Sequence, residues 1–214
     1  MGALMQNILI VPGLFGSSEA HWQRHWLADV PGSTLVEQPD WHKPDLDAWT
    51  ARLEEALEAA PAFIVAHSLG CHLIAALAGR PSAKNVRGAL LVAPCDLRIT
   101  RFLHPDNLSA FAPARSGPLP FAVTVVGSLN DIYMPLENLS ALAEDWRAEV
   151  HLLGQAGHIN VESGYGRWTR GYAIFNSLRE RVLYQEKQEN RRGSRRDSLA
   201  MDHPDLHPAV GVSP

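Results

Sequence analysis

Short apolar runs alternate along the chain with longer segments whose apolar residues recur every three or four positions. The runs Asn7–Val11, Thr34–Glu37, Ala62–His67, Ala89–Ala93, Ala122–Val126 and Val150–Leu153 read as strands. Between them, Asp45 is placed to cap a helix carrying Leu46, Trp49, Leu53 and Leu57 on one face. Pro135 opens another with Leu136, Leu139, Leu142 and Trp146, and Trp168, Tyr172, Phe175, Leu178 and Val182 mark a last one. This order predicts an α/β fold with a mostly parallel six-stranded sheet and helices on both faces. Leu69–Ala78 is apolar nearly all round, which predicts a helix buried at the centre of the domain.

Two stretches break the pattern. Pro94–Pro120, rich in Pro, Ser and Arg with scattered Phe102, Leu103 and Phe111, is either a small cap or a long excursion. After about Tyr184 the composition turns polar, with no apolar period to offset the entropy of ordering. A single domain over 5–184 and a disordered tail over 185–214 are expected. In such a tail, Arg191, Arg192, Arg195 and Arg196 read as a solvated extension, and Asp202, His203, Asp205 and His207 lack the preformed geometry a metal site requires.

The balance of 19 basic against 23 acidic residues offers no general attraction to phosphate or anionic lipid, so neither nucleic acid nor membrane is an expected partner. The start, MGALMQNILIVPGLFG, lacks a basic n-region, and Ile8–Val11 is too short for a leader or a membrane span. A soluble, cytoplasmic protein is expected. Cys71 and Cys95 lie in apolar surroundings without CxxC spacing, which reads as reduced core residues.

The strongest chemical signal is Phe63-Ile64-Val65-Ala66-His67-Ser68-Leu69-Gly70, an apolar strand running straight into SxG and the buried helix. That is the context of a nucleophile elbow, where small residues two before and two after the serine let strand and helix meet. A helix cap is the alternative role for Ser68. A serine nucleophile needs a base and an acid, and two later loops supply them. Ser128-Leu129-Asn130-Asp131 follows one strand, and Gly154-Gln155-Ala156-Gly157-His158 follows the next. All three loops leave the carboxyl ends of strands, the edge where a parallel sheet gathers its ligands. Asp96, one loop earlier, is the competing acid. His67 and His72 flank the elbow as packed neighbours.

The oxyanion that develops in acyl transfer needs donors. The backbone N–H of Leu69, and that of Leu14 in Pro12-Gly13-Leu14-Phe15-Gly16, are the expected pair. That loop has neither GxGxxG nor a Walker lysine, so a nucleotide site is not expected. Phe15, Trp22, Trp41, Phe102 and Phe111 are candidates either for an acyl pocket or for the core.

Ala66-His67-Ser68-Leu69-Gly70, Ser128-Leu129-Asn130-Asp131 followed by Pro135, and Gly157-His158-Ile159-Asn160, with Pro12-Gly13 and His21-Trp22, together resemble the small lidless α/β-hydrolase serine hydrolases. These are typified by retinoblastoma-binding protein nine and its bacterial esterase-like relatives. The resemblance covers about residues 5–184, with Ala66 where glycine is more usual. It implies a minimal α/β-hydrolase fold with little or no lid and a triad of Ser68, Asp131 and His158. It further implies no metal or other cofactor, and a small-molecule acyl substrate: an ester, thioester or amide. A hydrolase-fold binding protein and an acyltransferase or thioesterase are the alternatives. No LxCxE motif is present to carry over a retinoblastoma-protein partner.

Overall fold

A computed structural model describes residues 7–108, 111 and 117–201, with backbone alone from 193 onward, and in it each apolar run read as a strand is one. The strands are β1 (Ile8–Val11), β2 (Ser33–Leu35), β3 (Ala62–His67), β4 (Val86–Val92), β5 (Ala122–Gly127) and β6 (Glu149–Leu152). They form one sheet in the order β2-β1-β3-β4-β5-β6, and every neighbouring pair is parallel. β3 has the expected bounds, and the other strands' boundaries differ from the expected ones by at most three residues, most at the start of β4. The helices are α1 (Trp22–Asp29), α2 (Leu46–Ala59), α3 (Gly70–Ala76), α4 (Leu97–Leu103), α5 (Leu136–Asp145) and α6 (Thr169–Met201).

Burial on both faces explains why the strands are continuous apolar runs rather than alternating ones. Leu9, Val11, Ile64, Ala66, Ala89, Leu91, Val123 and Val125 share one cluster with Trp49, Leu53 and Leu57 of α2, with α3, and with Leu139 of α5. On the opposite face Phe63 meets Phe175 of α6 edge-on, and Phe175 in turn meets Trp26 of α1. This is a minimal α/β-hydrolase fold. The stretch left open as cap or excursion begins with α4, and Leu108, Phe111 and Leu119 among its described residues are buried in the main cluster, so these parts of it belong to the domain wall. Helix α1 falls in none of the segments with a helical apolar period, and its N-cap is a histidine: His21 Nδ1 accepts the N–H of Gln23.

The chain separates into one compact unit ending at Arg179 and a second from Glu180 onward. The second is helical as far as Met201, where an unstructured tail from 185 was expected. Its Gln, Glu, Lys and Arg residues are strong helix formers, so local propensity extends the helix without an apolar face. Residues 5, 6 and 202–214 lie outside the described residues. No helix among the described residues is long and apolar enough to cross a membrane.

The strand order reverses between β1 and β3, the place where such sheets open a crevice at their carboxyl edge. The backbones leaving these two strands touch directly. A Cβ on Gly70 would sit 2.5 Å from the Pro12 carbonyl oxygen and 2.7 Å from that of Val11, and one on Gly13 would sit 2.9 Å from the Leu69 nitrogen. Backbone cannot yield as a flexible side chain does. Gly70→Ala is therefore expected to lower the unfolding free energy by at least about 1–3 kcal/mol. Urea titration checks this, and an unchanged midpoint would show that the two segments can separate at no cost.

Candidate active site

Ser68 is the single residue between β3 and the turn into α3, and its φ of +53° is a left-handed conformation that a non-glycine residue rarely adopts. The turn projects Oγ off the carboxyl edge, while the Ser68 N–H donates to the Val92 carbonyl of β4 at 3.0 Å. His158 Nε2 lies 2.8 Å from Ser68 Oγ, and the same imidazole donates through Nδ1 to Asp131 at 2.8 Å (Oδ2) and 3.0 Å (Oδ1). All three side chains are largely buried. Geometry fixes the tautomer: with Nδ1–H given to the carboxylate, Nε2 is free to accept the serine hydroxyl proton.

Each partner is held by its own loop. Asp131 Oδ1 also accepts the N–H of Tyr133 at 2.9 Å. Ser128 Oγ accepts from the N–H of Ala156 at 2.9 Å, and Asn130 Oδ1 from that of Gly157 at 2.8 Å, which stitches the acid loop to the histidine loop. The residues quoted with Asp131 in the sequence are thus the ties between the two loops. Asp96 is engaged elsewhere. It caps α4, accepting from Arg98 and Ile99 backbone N–H groups and from the Asn138 amide, and these bonds hold its carboxyl below the ordinary range against the opposing effect of partial burial.

The loop after β1 lies against the turn, with Gly13 packed on the Ser68–Leu69 backbone and Leu14 lining the cavity in front of Ser68. Neither the Leu14 nor the Leu69 N–H donates to a protein acceptor among the described residues. The cavity holds about 320 Å³ and is lined by Phe15, by Thr100 of α4 and His104 just past it, and by Tyr133, Val161 and Glu162. A wider groove of about 500 Å³ runs between β2 and α2 and contains none of these groups. Of the five aromatic candidates only Phe15 reaches the cavity. Trp22 and Phe111 are fully buried, Trp41 packs against Gly16 and Trp49, and Phe102 stands 83% exposed.

Sequence reasoning missed Tyr133 and His104, and quoted His21 only as part of the resemblance, with no place in the site. Tyr133 packs on the His158 ring at 4.5 Å and lies parallel to His104. His21 and His67 form a row leading to His158, with ring centroids 4.9 and 5.0 Å apart and the rings tilted to one another. Burial pushes His21 down to about 4, helped by the nearby His158, and pushes His67 well below the usual imidazole range, helped by His21 and His158. Both are therefore neutral at pH 7. His72 is likewise depressed by burial and bonds through Nε2 to the Cys95 carbonyl at 2.7 Å. Burial raises the Cys95 thiol to about 11, so it is not a competing nucleophile. Among the described residues no group of three His, Cys, Asp or Glu side chains is arranged to hold a metal ion.

Comparison with known proteins agrees with this geometry. The family model described as "Serine hydrolase" matches residues 8–177. The chain belongs to the serine hydrolase family. Among solved structures it is similar to a YdeN-like hydrolase from Pectobacterium atrosepticum, at 28% identity and a TM-score of 0.71, with 83% of this chain and 92% of that one covered. It also matches the ydeN gene product from Bacillus subtilis (21%, TM-score 0.63, 82% and 99% covered). A third match is an α/β-superfamily hydrolase from Xanthomonas campestris (17%, TM-score 0.59, 82% and 98% covered). The last two, at this identity, speak for the fold alone. A search of curated proteins finds no match. Family and fold together make this protein a serine hydrolase, as the residues around Ser68, Asp131 and His158 imply.

The depressed histidines set a pH dependence. In the unfolded chain His21 takes up its proton near pH 6.5, but in the folded chain only near 4, so the unfolded state binds more protons in between. Stability is expected to fall as pH is lowered from about 6.5 to 4. His21→Asn, which keeps a good helix cap, should flatten that decline in urea midpoints measured across the range. An equally steep decline in the variant would remove His21 from the account.

Proposed function

We propose that this serine hydrolase cleaves a small ester, thioester or amide through an acyl-enzyme on Ser68. The observation that carries the reading is the continuous hydrogen-bond chain from Ser68 Oγ through His158 to Asp131. As Oγ attacks the substrate carbonyl carbon, its proton passes to His158 Nε2 and the carbonyl π pair moves onto oxygen. Asp131 holds the imidazole in the accepting tautomer and stabilises the imidazolium that forms. The Leu14 and Leu69 N–H groups receive the oxyanion, and His158 returns its proton to the leaving group as the C–O, C–S or C–N bond breaks. Water then attacks the acyl-enzyme by the same route, releasing the acid and restoring Ser68.

A cavity of about 320 Å³ suits a short acyl group. Two buried, unpaired cysteines are in keeping with a reducing, cytoplasmic setting. Every group named in the chemistry falls between Leu14 and His158, which supports a catalytic domain over 5–184 with 185–214 outside the machinery.

Initial rates on a p-nitrophenyl ester series from acetate to octanoate test the reading. Ser68→Ala should abolish turnover, and Asp131→Asn should lower it on the order of 10⁴-fold. Asp96→Asn should leave it near wild type, because asparagine caps a helix as well as aspartate does. Full turnover by folded Ser68→Ala, or a crippled Asp96→Asn beside an active Asp131→Asn, would overturn the assignment. Rates should drop beyond short chains. Octanoate turned over as fast as acetate would contradict the small-pocket reading.

A further inference from the structure

The backbone around His158 is in an unusual state. Gly157 and Ile159 on either side of it both have left-handed φ, +56° and +50°. For a β-branched residue such as Ile159 this conformation is strained and persists only where surrounding contacts hold it. On the N–H side those contacts come from the acid loop, where Asn130 Oδ1 accepts from Gly157 at 2.8 Å, and from just downstream, with His158 N–H donating to Ser163 Oγ at 3.0 Å. On the carbonyl side they come from the first third of the chain. His67 Nε2 bonds to the His158 carbonyl oxygen at 3.0 Å, and Trp22 Nε1 donates to the Ile159 carbonyl oxygen at 2.8 Å. Both bonds are buried, and the two rings that make them meet edge-on with centroids 5.8 Å apart.

Two successive carbonyls of the strained loop are thus gripped by two ring N–H donors borne on different elements, β3 and α1. Neither donor has a conventional part in acyl transfer. His67 has no acid to orient it and spends its Nε2–H on the carbonyl, which also fixes its neutral tautomer. Trp22 is fully buried and does not line the cavity.

We propose that His67 and Trp22 are positioning residues for the general base: their N–H groups clamp the His158 and Ile159 carbonyls and hold the His158 imidazole within reach of Ser68. The proposal rests on the Ser68 acyl-enzyme reading given above. Without the clamp the loop relaxes toward ordinary backbone conformations, and a displacement of about 1 Å at the imidazole is enough to lower turnover on the order of 100-fold. Trp22 lies off the cavity wall, so its loss leaves substrate binding untouched, whereas His67 is part of that wall and its replacement also changes a surface the substrate meets.

Trp22→Phe removes the N–H and keeps most of the apolar ring. His67→Leu removes the other donor, while His67→Gln retains an N–H able to reach the same carbonyl. With p-nitrophenyl acetate and full-length protein, Trp22→Phe and His67→Leu are expected to lose roughly 10- to 100-fold in kcat, with KM changed less than about threefold for Trp22→Phe, which does not touch the cavity. His67→Gln should recover at least half of the logarithmic loss. Because both donors hold one loop, the double variant Trp22→Phe/His67→Leu should lose less than the product of the single losses.

Trp22→Phe with kcat within twofold of wild type overturns the proposal for Trp22. His67→Gln no better than His67→Leu overturns it for His67. Should Trp22→Phe fail to fold, the His67 pair carries the test alone. Ser68→Ala run alongside separates the two levels of the argument. Its loss of turnover leaves the acyl-enzyme reading standing whatever the clamp variants do, and its retention removes the ground for both.

Discussion

Everything at the carboxyl edge of this sheet depends on one close approach, that of the chain leaving β1 to the turn at Ser68. Gly13 and Gly70 have no side chains there, so backbone meets backbone, and Ser68 is left in a left-handed conformation with its hydroxyl turned out of the sheet. The same approach brings Leu14 into the cavity beside Ser68. A strained serine and a rigid loop opposite it are consequences of a packing constraint, met where the strand order reverses between β1 and β3. Gln23 of α1 reinforces the junction by donating to the Val11 and Val65 carbonyls, one on each strand.

The electrostatics around His158 follow from burial more than from charge. His21 and His67 stand between it and α1, but both are held neutral by desolvation, so they contribute ring packing and N–H donors rather than positive charge. A cationic neighbour would disfavour the imidazolium that proton transfer from Ser68 creates. Among the described residues Asp131 is the one carboxylate bonded to the His158 ring. On the other side, Ser128, Asn130 and Ser163 satisfy the N–H groups of the histidine loop, so loops from β5 and β6 behave as one piece.

The six strands and the order of the three chemical loops were legible because each is a local pattern: a run of Ile, Val and Ala ending in Ser, Asp or His. Asp96 reads in the sequence only as the competing acid; its part as the N-cap of α4 was not legible, because Leu97–Leu103 lies in the stretch that reads as cap or excursion. What stayed hidden is what distance in sequence conceals. The Trp22 bond to Ile159 spans 137 residues and the His67 bond to His158 spans 91, and no period or spacing announces such pairs. Helix α1 escaped because only Trp22, Gln23 and Trp26 of its eight residues face inward, too few for a clear apolar stripe. The continuation of α6 to Met201 escaped for the opposite reason: its propensity was present, but the missing apolar face was given more weight.

The central claim is that the folded protein activates one particular hydroxyl, and the most direct measurement is covalent capture. Full-length protein at pH 7.5 would be treated with a fluorophosphonate, weighed intact and digested to map the adduct. The account predicts a single phosphonyl group on Ser68, formed to one equivalent. Folded protein that stays unmodified, or that carries the group on another residue, would contradict it.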